Sequence, residues 1–99
     1  MIYDRISNAH NIELATEYMK YRLSLRGYDL AMVEYILRYS SERYTDTATG
    51  RAVVIGGHEK RLVMIPYERV GSMLTPITIH ATSRQQINSR LKSGRLKNE

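Results

Sequence analysis

The feature that most constrains the fold is a change of period at Ser40. Before it the apolar residues recur at helical spacing, and after it they alternate as in strands, with turn residues at regular intervals. Residues 11 to 26 are expected to form a helix, stopped at Gly27, where a left-handed cap fits. One stripe of that helix holds Ile12, Ala15, Met19 and Leu23; a second, roughly opposite, holds Leu14, Tyr18, Tyr21 and Leu25. A helix on the outside of a two-layer domain buries one face, so the second stripe needs a covering helix, a sister subunit or a partner. Asp29 reads as the N-cap of a second helix over residues 30 to 39, with Tyr28 and Val33 placed as a hydrophobic staple. Two short helices joined by Arg26-Gly27-Tyr28-Asp29 make a helical hairpin.

Four strands are expected beyond the switch, over residues 43–46, 51–56, 61–67 and 74–81, and their short connections imply an antiparallel meander. Pro66 and Pro76 cannot donate to a ladder and belong at strand ends, bulges or edges. Residues 1 to 7 alternate enough to suit a further short strand. Thr82 with Gln85, or Ser83 with Gln86, forms a capping box for a last helix near residues 84 to 93, closed by Gly94. Its apolar stripe is only Ile87 and Leu91, which predicts loose docking. The expected fold is a single α+β domain over residues 1–99, with an N-terminal helical hairpin on a four-stranded antiparallel sheet and a short C-terminal helix.

Composition narrows the chemistry. The 99 residues contain no cysteine, so disulfides, thiolate metal sites and thiol nucleophiles are excluded, and a reducing cytosol is the expected compartment. The first residues lack the apolar run of a signal peptide, and nothing approaches the ~18 apolar residues of a membrane span, so a soluble, cytoplasmic protein with no membrane partner is expected. Eight tyrosines stand with no Phe or Trp. The core must therefore be Ile, Leu, Val and Met with Tyr at its margins.

The formal charge of +5 is uneven: residues 1–79 hold ten basic and nine acidic side chains, whereas residues 80–99 hold Arg84, Arg90, Lys92, Arg95 and Lys97 against Glu99 alone. Such a concentrated positive field favours an anionic partner, most commonly a nucleic-acid backbone. His10 and His58 read as surface residues without metal-ligand spacing. His80 ends its strand on the side opposite Ile77 and Ile79, just before the basic helix, and can face a cationic hollow. No glycine-rich phosphate loop, paired carboxylates or cofactor motif is present, and Ser83 is better explained as a cap than as a nucleophile. In-line attack of a ribose 2′-hydroxyl needs a proton acceptor, a proton donor and cations, and needs no metal. The candidate catalytic set is His80, Arg84, Tyr67 and Arg61, with Arg90, Lys92 and Arg95 to hold phosphates.

The run Arg22-Leu23-Ser24-Leu25-Arg26-Gly27-Tyr28, followed by Asp29, Val33, Ile36 and Leu37, resembles the helical motif of a family of small bacterial and archaeal domains related to the BrnT and RelE-like toxins. Asp46-Thr47-Ala48-Thr49-Gly50-Arg51, Val63 to Tyr67, Thr78-Ile79-His80 and Arg90-Leu91-Lys92-Ser93-Gly94-Arg95 are similar to the sheet and closing segment of the same group. The resemblance implies a strongly bent antiparallel sheet and a toxin-like, metal-independent ribonuclease acting on RNA, free or as mRNA on the ribosome, and neutralised by a cognate antitoxin. The histidine usual in the family's first helix is replaced by Tyr18, which leaves the catalytic set to the sheet and the closing segment. The alternative is a non-catalytic interaction module that uses Leu14, Tyr18, Tyr21 and Leu25 to form a homo-oligomer or hold a partner protein. A basic helix without a helix-turn-helix companion argues against DNA.

Overall fold

A computed structural model describes residues 11, 12, 21, 23–25 and 27–99. Its strands are β1 (Asn11–Ile12), β2 (Arg43–Asp46), β3 (Arg51–His58), β4 (Arg61–Val70), β5 (Met73–Pro76), β6 (His80–Thr82) and β7 (Leu96–Asn98); its helices are α1 (Leu30–Tyr39) and α2 (Arg84–Ser93). The class is α+β, and the strands form one sheet ordered β1-β5-β4-β3-β2-β7, with β6 also on β4. All pairings are antiparallel except β1 with β5, which is parallel.

The central strands explain the architecture. Val53-Val54-Ile55 in β3 and Val63-Met64-Ile65 in β4 are buried at three successive positions, so both faces of the sheet are covered. On one face Val33, Ile36 and Leu37 of α1, with Leu23, pack on Val54, Val63, Ile65, Tyr67, Leu74 and Ile79. On the other, Ile87 of α2 and Leu96 of β7 pack on Tyr44, Val53, Ile55 and Met64. The result is three layers, helix on sheet on helix. Full burial of Ile87 alone is worth about 1.5–3 kcal/mol.

Local chemistry fixes the ends of the elements. The Asp29 carboxylate accepts from the Met32 N–H at 2.8 Å at the start of α1, and the Ser83 hydroxyl accepts from the Gln86 N–H at 3.1 Å at the start of α2. Gly94 adopts φ 83° and stops α2 in the left-handed conformation. Glu59 and Lys60 both have positive φ, 51° and 66°, which makes the two-residue β3–β4 connection a primed hairpin turn built without glycine.

Several expectations need correction. The sheet has seven strands, not four, among the described residues. Asn11 and Ile12, expected to open the first helix, lie in β1 beside β5; of that helix only Tyr21, Leu23, Ser24 and Leu25 are described as helical, and the strand over residues 1 to 7, like Leu14 and Tyr18, falls outside the described residues. β4 extends to Val70, and β7 follows Gly94 where no strand was expected. The single strand over 74–81 is two strands, β5 and β6, on the same side of β4. α2 is not loosely docked, because ion pairs fasten both of its ends, as described below.

The break between β5 and β6 is a β-bulge. Pro76 pairs with Tyr67 and His80 pairs with Met64, so Ile77, Thr78 and Ile79 oppose only Ile65 and Pro66. Pro66 is its cause. The Ile77 N–H donates to the Pro66 carbonyl at 2.8 Å, so the backbone of residue 66 faces this partner, but the proline ring has no N–H to return. Regular pairing cannot continue there, and the extra residue takes up the mismatch.

Candidate nucleic-acid interface

The bulge decides which face His80 occupies. Uninterrupted pairing would set Ile79 opposite Met64; with one residue added, His80 takes that position and Ile79 turns into the α1-side core, where it is fully buried. His80 is exposed and looks onto a cleft of about 470 Å³ between α2 and the β5–β6 segment. Met64 and Pro66 of β4 line its floor. Thr78 and His80 line one wall, Gln86 and Arg90 the facing one, and Asp46, Arg51 and Arg95 the side next to the β2–β3 turn. Ile77 lines the cleft as well, although strict alternation had set it opposite His80. Neighbours 77 and 78 share one cleft because the bulge interrupts the alternation.

Helical geometry sorts the basic residues of α2. Ile87 fixes the inward direction; Gln86 and Arg90 fall to one side of it, Arg84 to the other, and Lys92 points away. Arg90 is half-buried, with Nη1 3.8 Å from Met64 Sδ, so its guanidinium lies over the cleft floor. Arg84 instead makes two hydrogen bonds to the Glu42 carboxylate, at 2.6 and 3.0 Å. That guanidinium holds the Glu42 carboxyl below its ordinary range against the opposing effect of burial, and the Tyr44 hydroxyl adds a bond at 2.7 Å. The phenol of Tyr44 is raised in turn, first by its bond to Glu42 and then by burial.

Arg95 follows the Gly94 cap and reaches back to Asp46, with Nε 2.7 Å from Oδ1 and Nη2 3.3 Å from Oδ2. Asp46 is buried, and the Arg95 guanidinium holds its carboxyl below the usual value; burial opposes this, and the Ala48 N–H assists at 2.9 Å. The Thr47 N–H donates to the Arg95 carbonyl at 2.8 Å, and its hydroxyl to the Gly94 carbonyl at 2.9 Å. The β2–β3 turn is thereby stapled to the end of α2, and both ends of that helix are tied to the β2 segment, through Glu42 and Asp46.

The structure brings together three of the expected site residues, His80, Arg90 and Arg95. It does not bring in the other four. Tyr67 is buried in the α1-side core, on the opposite face of the sheet, where its hydroxyl lies 3.1 Å from Arg43 Nη1 and 3.3 Å from the Glu99 carboxylate. Arg61 sits on that same face, opposite His58 at the hairpin turn. Arg84 is bound to Glu42, and Lys92 is exposed away from the cleft. His58 is half-buried with its ring edge-on to Tyr28, centroids 5.6 Å apart, rather than freely exposed.

Arg51, Asp46 and Gln86 were missed as site residues. Arg51 is directly opposite Asp46 in the β2–β3 ladder and 3.6 Å from Glu68. The sequence shows only an Asp-Thr-Ala-Thr-Gly turn; the burial of Asp46, which calls for a nearby cation, comes from the fold. Tyr21 and Leu25, expected at a partner interface, are 61% and 65% exposed. No helix among the described residues is long and apolar enough to cross a membrane. Comparisons with family models, curated proteins and solved structures return no match for this chain, so the resemblance to BrnT and RelE-like toxins rests on its residue patterns alone.

Proposed function

We propose that this domain binds single-stranded RNA through its phosphates in the cleft between α2 and the β5–β6 segment. The observation that carries the reading is the convergence of Arg90, Arg95 and Arg51 with the His80 imidazole on one concave surface. Guanidinium groups grip phosphate oxygens through paired N–H donors, and the polar side chains of Thr78 and Gln86 add neutral donors and acceptors. Among the described residues no carboxylate lies within ion-pair distance of Arg90, which leaves it the cation most available to a ligand.

Cleavage needs more than binding. His80 supplies one proton-transfer group and the arginines supply charge stabilisation. The second titratable group among the described cleft residues is Asp46, which Arg95 holds ionised, so a proton donor to the leaving oxygen is not built in. Binding is therefore the primary function, and metal-independent strand scission, as in a toxin held in check by an antitoxin, is its extension. Fluorescence anisotropy with short single-stranded RNA at low salt tests it. Binding should weaken as salt rises, with a slope of about 0.7 per neutralised phosphate, and Arg90→Ala should lower that slope by about one contact. No binding at low salt, or an unchanged slope in the variant, overturns the proposal. Growth arrest on expression, abolished by His80→Ala, would support the toxin role.

A specific observation favours a second reading. Tyr21 and Leu25, with Tyr35 at 65% and Tyr39 at 48% exposure, put large apolar side chains in water on the N-terminal helical segments. A homo-oligomer or a bound partner protein would cover them. Light scattering on Tyr21→Ser with Leu25→Ser checks this; a monomer before and after removes the homo-oligomer.

A further inference from the structure

We infer that the cleft seats one terminal nucleotide by its phosphomonoester, and is not a track along which a strand runs; this rests on the RNA-binding reading above and narrows it. Size is the first argument. A volume of about 470 Å³ suits a single small ligand, whereas surfaces that follow single strands take roughly 4–16 nucleotides per domain. The second is the scarcity of stacking rings. Such tracks stack successive bases on aromatic rings, and among the described residues lining this cleft His80 alone is aromatic, one ring for one base. Tyr44 and Tyr67 are in the two cores, Tyr28 packs on the α1 side, and Tyr35 and Tyr39 stand together on α1.

Charge is the third argument. Arg51, Arg90 and Arg95 against Asp46 give the lining a formal +2, three cations less one anion, with His80 uncounted; Glu68, 3.6 Å from Arg51, makes only an exposed pair. A terminal phosphomonoester carries roughly −1.5 to −2 at neutral pH, against −1 for an internal diester. The lining is matched to the end of a chain.

Asp46 acts here as a positioning residue. It occupies Nε and Nη2 of Arg95, fixes the plane of the guanidinium, and leaves Nη1 for a ligand. Met64, Pro66 and Ile77 offer the attached sugar and base an apolar floor.

The test uses the whole chain and one RNA sequence prepared with a 5′-phosphate, a 3′-phosphate or hydroxyl ends, with adenosine 5′-monophosphate, adenosine 3′-monophosphate, inorganic phosphate and adenosine as competitors. One phosphorylated end should bind about tenfold more tightly than hydroxyl ends. The matching mononucleotide should compete while adenosine does not, and Arg90→Ala should erase the end preference. Equal binding of all three RNAs with no competition by nucleotide overturns the inference and leaves RNA binding standing. Mononucleotide binding without RNA binding supports the seat and removes RNA as its source. If neither binds, both proposals fall. Nucleotide competition needs no variant, so the test survives should Arg90→Ala fold poorly.

Discussion

At Gly56 the α1 residue Ile36 comes close to the backbone of the sheet, and replacing the glycine measures how rigidly that helix is seated. A Cβ added there would stand 2.5, 2.6 and 2.8 Å from Cγ1, Cγ2 and Cδ1 of Ile36, all inside contact distance. Ile36 cannot escape by rotation, because branching at Cβ fixes χ1 in a helix and swings one γ-carbon in as the other swings out. The helix itself must move. Overpacking of this kind costs typically 1–3 kcal/mol, and three close carbons argue for the upper half of that range. Alanine recovers about 0.5–1 kcal/mol by restricting the unfolded chain. Gly56→Ala should therefore cost roughly 1–2.5 kcal/mol, or about 4–15 °C in Tm. Ile36→Ala alone should cost about 2–5 kcal/mol. In that background the clash is gone, and adding Gly56→Ala should be neutral or stabilising. Urea unfolding of the four proteins completes the cycle, with an expected coupling of about 2 kcal/mol. Additive effects within about 0.5 kcal/mol would refute the close approach of α1 to β3.

Other consequences are as direct. Because Glu42 and Asp46 are held below their ordinary values by Arg84 and Arg95, the stability they add is complete above the unfolded-state values near ~4 and is lost as pH falls through the lower folded ones; urea midpoints from neutral to strongly acid pH should show the loss, and Asp46→Asn should flatten it. Ser83→Ala removes the cap of α2 and should cost about 1 kcal/mol, seen as faster amide exchange in its first turn. Replacing Glu59-Lys60 by Asn-Gly relieves two left-handed conformations and should raise stability by about 1 kcal/mol by thermal melt.

Much of this structure was legible because it depends on local chemistry. The switch at Ser40, the Asp29 and Ser83 caps and the Gly94 stop follow from neighbours in sequence. What was not legible depends on register. Tyr67 and His80 look like partners on paper, but pairing Met64 with His80 sends odd-numbered β4 residues, Arg61 and Tyr67 among them, to the far face. The bulge hid in the same way: a proline inside a strand announces an irregularity without saying which strand absorbs it. Arg84 and Arg95 illustrate a third limit. Basic residues in a run look equivalent until the carboxylates that meet them are known, and here Glu42 and Asp46 lie about forty to fifty positions away in sequence.

The extra residue between Pro76 and His80 makes the contents of the hollow a matter of counting. Substituting Thr78 alters one side chain. A slip of β6 by one residue that irons the bulge out with Thr78 kept would instead exchange the inside and outside assignments of the stretch ahead of α2, driving the imidazole into hydrocarbon and presenting isoleucine to the hollow. The bulge thus holds a register in which a cation-lined hollow, and not a greasy one, faces α2.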